Sequence, residues 1–275
     1  MNSLLKGFSA LALVLTATIL FSSGAYHITQ QTNNEKLRRS ADFLLSQYNS
    51  KLKLCSEAPN AAPNTYWLAS DNLLAYHALK HYNPNISSQI YLELGRRGGF
   101  KSGVYECLFG ESVPLPIKDR ATFIIERGGD DVIKIDIHNC TTVFPNWDEY
   151  SDLLICSALS LYWKGNETEA FKLFDKAVDM WDGKGLCDKA TGGGDLNLSG
   201  PYETYKLALL LYASRVLKRP LTFQAELENT LWKMQRESDG GIITHYNGSF
   251  TPIGDANTET TSLTLIAYMH SPDVK

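Results

Sequence analysis

A chain of 275 residues that is 44% hydrophobic and 20% charged has the composition of an ordinary globular protein, long enough to bury a full core. Its formal net charge of −4 excludes a nucleic-acid surface, because no basic stripe is available to neutralise successive phosphates. The first recognisable element is N-terminal: Lys6, an apolar run from Gly7 to Phe21, then the small residues Ser22-Ser-Gly-Ala25. Residues 1–25 therefore read as a signal peptide, or as an uncleaved N-terminal membrane anchor, since a bilayer needs about twenty apolar residues. Either way the body, residues 26–275, is expected as one domain outside the cytoplasm, secreted or anchored on the extracytoplasmic face. Sequons at Asn85, Asn139, Asn166, Asn197 and Asn247 agree with a glycoprotein. Of the five cysteines, Cys107 and Cys140 share one irregular stretch and are the expected disulfide pair, whereas Cys156 is expected free and buried.

Along the body, Thr32-x-x-Glu35 resembles a capping box for an amphipathic helix carrying Leu37, Ala41, Leu44, Leu45 and Tyr48. After a loop rich in Pro, Ala and Asn, the stretch from Tyr66 to Tyr82 reads as a helix apolar almost all round. Ile86 to Arg97 then form a striped helix. From 100 to 146 the helical period is lost; Thr122–Arg127 and Val132–Ile137 flank Gly128-Gly-Asp-Asp131 and read as a β-hairpin inserted between helical repeats. The helical theme returns at Trp147 and continues with a striped helix capped by Asn166. Beyond the glycine-rich loop come an apolar helix from Tyr202, a striped one over 220–235, and an apolar one entered through Asn257.

The alternation predicts architecture. Helices near 66, 147, 202 and 257 must be enclosed, while those near 33, 86, 166 and 220 can face water on one side. Stacked helical hairpins with a period of roughly fifty residues satisfy both demands. The fold class expected is mainly α: an α/α toroid, or an open arc of about four helical hairpins, with the 100–146 β-hairpin insertion.

On these alternating helices and on Gln235-x-x-x-Asp239-Gly240-Gly241, the chain resembles the α/α-toroid superfamily over residues 33–97 and 146–270. That group includes terpenoid cyclases, prenyltransferase β subunits, and six-hairpin glycosidases and polysaccharide lyases. The acidic motifs Asp-x-Asp-Asp and Asp-Asp-x-x-Asp that a cyclase would need are absent.

If the inner helices start at one end, the residues at their first turns converge on one mouth. Tyr66, Trp67, Asp71, Trp147, Tyr150, Asp152, Tyr202, Glu203, Tyr205, Asn257 and Glu259 then line it, and loops add Asp188, Asp239, His245 and Tyr246. Carboxylates beside aromatic rings suit a carbohydrate, whose apolar faces stack on rings and whose hydroxyls bond to carboxylates. Hydrolysis needs two carboxyl groups facing across the bond. Glu203 and Glu259, at equivalent positions of neighbouring helices, are the first candidates, then Asp71, with Asp239 as a loop acid and His245 as an acid or base.

The expected function is therefore an extracytoplasmic carbohydrate-binding or carbohydrate-cleaving protein, a glycoside hydrolase or polysaccharide lyase if it is an enzyme. The alternatives are a non-catalytic surface interaction module and, third, a terpenoid cyclase or prenyl-group enzyme. A glycan ligand or a surface protein is the expected partner, with the membrane if the N-terminal segment stays uncleaved. No cofactor and no metal are expected: no zinc-type Cys/His spacing, Walker A, Rossmann or Gly-x-Ser-x-Gly motif occurs.

Overall fold

Short extended segments lead into the buried helices. The computed structural model describes residues 33–191 and 201–269. The leader or anchor at 1–25, Thr32, and the loop and sequon at 192–200 lie outside the described residues. The chain divides into two units, Met1–Arg39 and Ser40–Lys275. Of the first, the described part is 33–39, the opening of helix α1 (33–46); the remainder of the fold belongs to the second.

After α1 come β1 (Tyr48–Asn49), β2 (Leu54–Cys55) and β3 (Asn64–Trp67), then a π-helical turn at Leu68–Asn72, α2 (Leu73–Leu79) and α3 (Pro84–Arg97). A 3-10 turn at Tyr105–Phe109 precedes β4 (Ala121–Gly128), β5 (Asp131–Ile137), a second 3-10 turn at Trp147–Glu149, α4 (Ser151–Trp163) and α5 (Glu167–Val178). The last elements are β6 (Tyr202–Glu203), α6 (Thr204–Val216), α7 (Gln224–Lys233), β7 (Ile243–Tyr246), β8 (Pro252–Ala256) and α8 (Thr258–Met269).

The described residues are 48% helix and 18% strand, with eight helices and three small sheets among them, so the fold is an α/β mix and the mainly α toroid or arc expected from the sequence is corrected. The reason is visible at Tyr66. Asn64–Trp67 does not open a helix but pairs in parallel with β5, Thr65 opposite Val132 and Trp67 opposite Lys134. Aromatic and β-branched residues accept a pleated surface once a partner strand is present, and here that partner is more than sixty positions away. A parallel pair requires a long crossover, and α2 and α3 lie on it. The 100–146 stretch is thus built into the fold: β5 is the centre of a sheet ordered β3-β5-β4, with Val132, Ile133 and Ile135 buried. Glu203 closes β6, which pairs with β7, and β7 pairs with β8.

The helices still sort by burial. In α4 every residue from Leu153 to Ser160 is buried, and α6 and α8 are buried over almost their whole length. By contrast α3 and α5 bury a single stripe, Ile90 and Leu94 in one and Ala170, Phe174 and Ala177 in the other. α2 packs on α8, α8 on α6 and α6 on α4, with α3, α5 and α7 backing α2, α4 and α6. A fully buried side chain such as Phe174 contributes about 1.5–3 kcal/mol relative to an exposed one. Among the described residues, no helix is long and apolar enough to cross a membrane.

The disulfide expectation is also corrected. All five cysteines are free thiols, and the partner that Cys107 reaches is Cys156, by a hydrogen bond between the 3-10 turn and α4. The irregular stretch folds its Cys107 end onto α4, which sequence proximity to Cys140 could not disclose.

Candidate functional site

The ends of β3, β5 and the β8–α8 junction surround a cavity of about 230 Å³, lined by Glu57, Trp67, Ser70, Asp71, Ser102, Tyr105, Arg120, Asp136, His138, Asn257 and Glu259. Each wall has a local cause. The π-helical turn after β3 turns Asp71 inward, where it is 3% exposed. Its Oδ1 accepts a hydrogen bond from Ser70 (3.2 Å), and its Oδ2 has no hydrogen-bond partner. Glu259 lies in the first turn of α8, whose start is fixed by the Asn257 side chain accepting from the Thr260 amide (2.8 Å). The Tyr105 hydroxyl donates to Glu259. The Trp67 indole donates to Glu57 (3.1 Å), and the Lys134 ammonium lies 4.9 Å over the Trp67 ring without lining the cavity.

The opposite wall comes from residues 102–106 clamped against the end of β5. Glu106 accepts from the amides of Ser102 (2.6 Å) and Gly103 (2.9 Å), and the His138 amide donates to the Ser102 carbonyl (2.5 Å). Gly103 is required there: its φ is +83°, and a Cβ would come within 2.7 Å of the His138 carbonyl oxygen. The His138 Nδ1 lies 3.0 Å from the Lys118 carbonyl, which can only accept. Nδ1 therefore carries a proton. Arg120 pairs with Asp136 (3.3 Å).

Burial, followed by the charges of Glu259 and Glu57, holds the Asp71 carboxyl well above its ordinary range. Burial also raises Glu259, with Glu203, Asp152 and Glu57 adding to the effect and the Tyr105 hydrogen bond opposing it. Glu259 and Tyr105 keep accessible surface because they line the cavity, yet both lie deep in the unit, so desolvation leads.

Next to this group is a second, self-compensated cluster. Lys206, 1% exposed, pairs with Asp188 (2.7 Å) and Glu203 (2.5 Å). Asp188 also accepts from the amide (2.8 Å) and hydroxyl (2.7 Å) of Ser151, and Tyr205 donates to Asp152 (2.9 Å). Burial raises the Asp152 carboxyl, against the lowering effect of Lys206.

Of the candidates named from the sequence, the cavity brings together Asp71, Glu259, Trp67 and Asn257. Glu203, Asp152, Asp188 and Tyr205 form the neighbouring cluster, and Glu203 is paired to Lys206 without lining the cavity. The rest serve elsewhere. Asp239 locks its turn by bonding Arg236 through both oxygens (3.0 Å each). His245 is half-buried on β7 opposite Glu203. Tyr66, 3% exposed, accepts from Asn49 (2.9 Å). Tyr202 and Tyr246 stack 5.3 Å apart in the core, the first donating to Asp182 (2.5 Å) and the second to the Lys184 carbonyl (2.9 Å). Trp147 belongs to a 3-10 turn, and Tyr150 meets Phe144 edge-on at 5.4 Å.

Sequence reasoning missed Glu57, Ser70, Ser102, Tyr105, Arg120, Asp136 and His138. Most lie in the 100–146 stretch set aside as an insertion; the alternation of Val132, Lys134 and Asp136, running directly into His138, was the available signal. Among the described residues, no group of three or more His, Cys, Asp or Glu is placed to hold a metal ion. No family model, curated protein or solved structure matches the chain.

Proposed function

We propose that this protein is an extracytoplasmic glycan-active protein that cleaves a glycosidic bond by two-carboxyl chemistry in the cavity between β3, β5 and α8. The observation that carries the reading is Asp71 beside Glu259 in one polar cavity, each in a different environment. Asp71 is buried with one oxygen unpartnered, so it retains its proton and is suited to protonate the leaving glycosidic oxygen. Burial raises Glu259 as well, but the Tyr105 hydrogen bond and the N-terminus of α8 favour its anion over that of Asp71. Glu259 is the base that takes a proton from water, or the nucleophile at the anomeric carbon. Trp67 offers a ring face for a sugar, and Asn257, Ser70 and Ser102 offer hydroxyl partners.

Glu203, the other first candidate, is assigned no chemical step, because its carboxylate is already engaged by Lys206. An isoprenoid reading has less support, since the cavity is polar. The interaction-module reading rests on a separate observation: β4 is an edge strand exposing Phe123, Ile124 and Ile125.

The test is hydrolysis of a glycan panel by the full chain and by Asp71→Asn and Glu259→Gln. Turnover should fall by about 10²-fold or more in each while the circular dichroism is unchanged. Wild-type turnover retained in either variant would refute the assignment. The product anomer then reports the carboxyl separation, about 5–5.5 Å for retention and about 6.5–9.5 Å for inversion.

A further inference from the structure

The cavity and its neighbouring cluster are both rich in carboxyl groups, but they are balanced differently. Around Asp188, Glu203 and Asp152 the chain supplies its own buried cation, Lys206. Around the cavity, Glu57, Asp71, Asp136 and Glu259 are four carboxyl groups, and among the described residues lining it the only Lys or Arg is Arg120. Arg120 is 59% exposed and already paired with Asp136. Glu57 and Glu259 hold neutral donors, the Trp67 indole and the Tyr105 hydroxyl, and the 97%-buried Asp71 has an oxygen with nothing to bond.

We propose that the missing cation belongs to the ligand: the cavity takes a sugar bearing a free amine, in its ammonium form, in preference to neutral or carboxylate-bearing sugars. The inference rests on the glycan reading above and names its substrate class. An ammonium brings three N–H donors and one positive charge, which meets the unpartnered Asp71 oxygen and the surplus of acidic groups together. A uronate would place a further carboxylate among Glu57, Asp71 and Glu259, where like charges in a desolvated site repel strongly. An N-acetylated sugar retains the hydroxyl contacts but offers one neutral N–H in place of the charge. Burial and the charges of Glu259 and Glu57 raise the Asp71 carboxyl, an effect that a neighbouring ammonium would relieve.

The experiment is calorimetric titration of the full chain at pH 5.5, where the sugar amine is an ammonium, with three β-1,4-linked tetrasaccharides: glucosamine, N-acetylglucosamine and a hexuronate. The glucosamine form should bind at least about tenfold more tightly than the acetylated form, the range in which close desolvated charge pairs act. The uronate should bind weakest. In Asp71→Asn, and independently in Glu57→Gln, the preference for the amine should shrink to about twofold. The wild-type panel needs no variant, so a folding defect in one substitution leaves the proposal testable. Equal or tighter binding of the acetylated or uronate form overturns the amine preference and leaves the glycan reading standing. Failure of all three sugars, with spermidine binding instead, sinks the glycan reading and this proposal with it.

Discussion

Removing the ammonium of Lys206 is the most direct perturbation of the buried charge beneath the cavity. Its side chain is 2% exposed and reaches Asp188 at 2.7 Å and Glu203 at 2.5 Å. Lys206→Met keeps the aliphatic volume and deletes the charge, leaving Asp188 buried on the amide and hydroxyl of Ser151 and the amide of Ala190. Stranding one member of a buried pair costs about 3–5 kcal/mol. In a unit of this size that lowers Tm by at least about 6 °C. Urea unfolding followed by circular dichroism measures it, and Lys206→Met with Asp188→Asn should recover part of the loss, because the unpaired charge is the expensive element. The pH dependence carries a sign. In the wild type, burial raises the Asp188 carboxyl, but Lys206 and the two Ser151 hydrogen bonds together outweigh it, so the carboxyl lies below its ordinary value. Its contribution is present above the unfolded value of about 3.9 and is lost as pH falls through the lower folded value. Without Lys206 the opposition to burial falls to hydrogen bonds alone, so the loss of the Asp188 contribution should begin at a higher pH than in the wild type. A loss under about 1 kcal/mol, or a double variant no more stable than Lys206→Met, would refute the reasoning.

Asp71 gives the opposite slope in the native chain. Its folded value is raised, so stability is greatest below the unfolded value of about 3.9 and declines as pH climbs toward the folded value, by up to about 1.4 kcal/mol per pH unit for one proton. Asp71→Asn should raise Tm at pH 7 and leave it unchanged at pH 3; a lower Tm at pH 7 would contradict this. At Gly241 an added Cβ would lie 2.6 Å from the Phe43 ring and 2.7 Å from the Ala256 Cβ, so Gly241→Ala should cost about 1–3 kcal/mol in urea unfolding, and a neutral result would show that the two side chains yield freely. In native alkylation with iodoacetamide, the half-buried Cys140 and Cys187 should react first. Cys55, Cys107 and Cys156, at most 1% exposed, should wait for denaturant, and a Cys107–Cys140 bridge in the peptide map would contradict the structure.

Helical periodicity was legible because it is local. The stripe of Ala170, Phe174 and Ala177, the cap at Asn166 and the all-round apolar runs of α4, α6 and α8 each lie within a dozen or so neighbouring residues. Part of the site was legible for the same reason: Asp71, Trp67, Asn257 and Glu259 stand where a chain enters a buried helix, and charge there follows the helix dipole. Tertiary structure alone decided that Tyr66 and Trp67 are strand residues, since their partners are Ile133 and Lys134. It decided equally that Tyr105, Arg120, Asp136 and His138 close the cavity, through the clamp of Ser102 and Gly103 on His138. It also separated Glu203 from Glu259, which share one sequence frame, by giving the first a buried lysine and the second a tyrosine hydroxyl. Periodicity reports which face of an element must leave water; which distant element covers that face is set by long-range pairing, and a catalytic environment is a property of the covering.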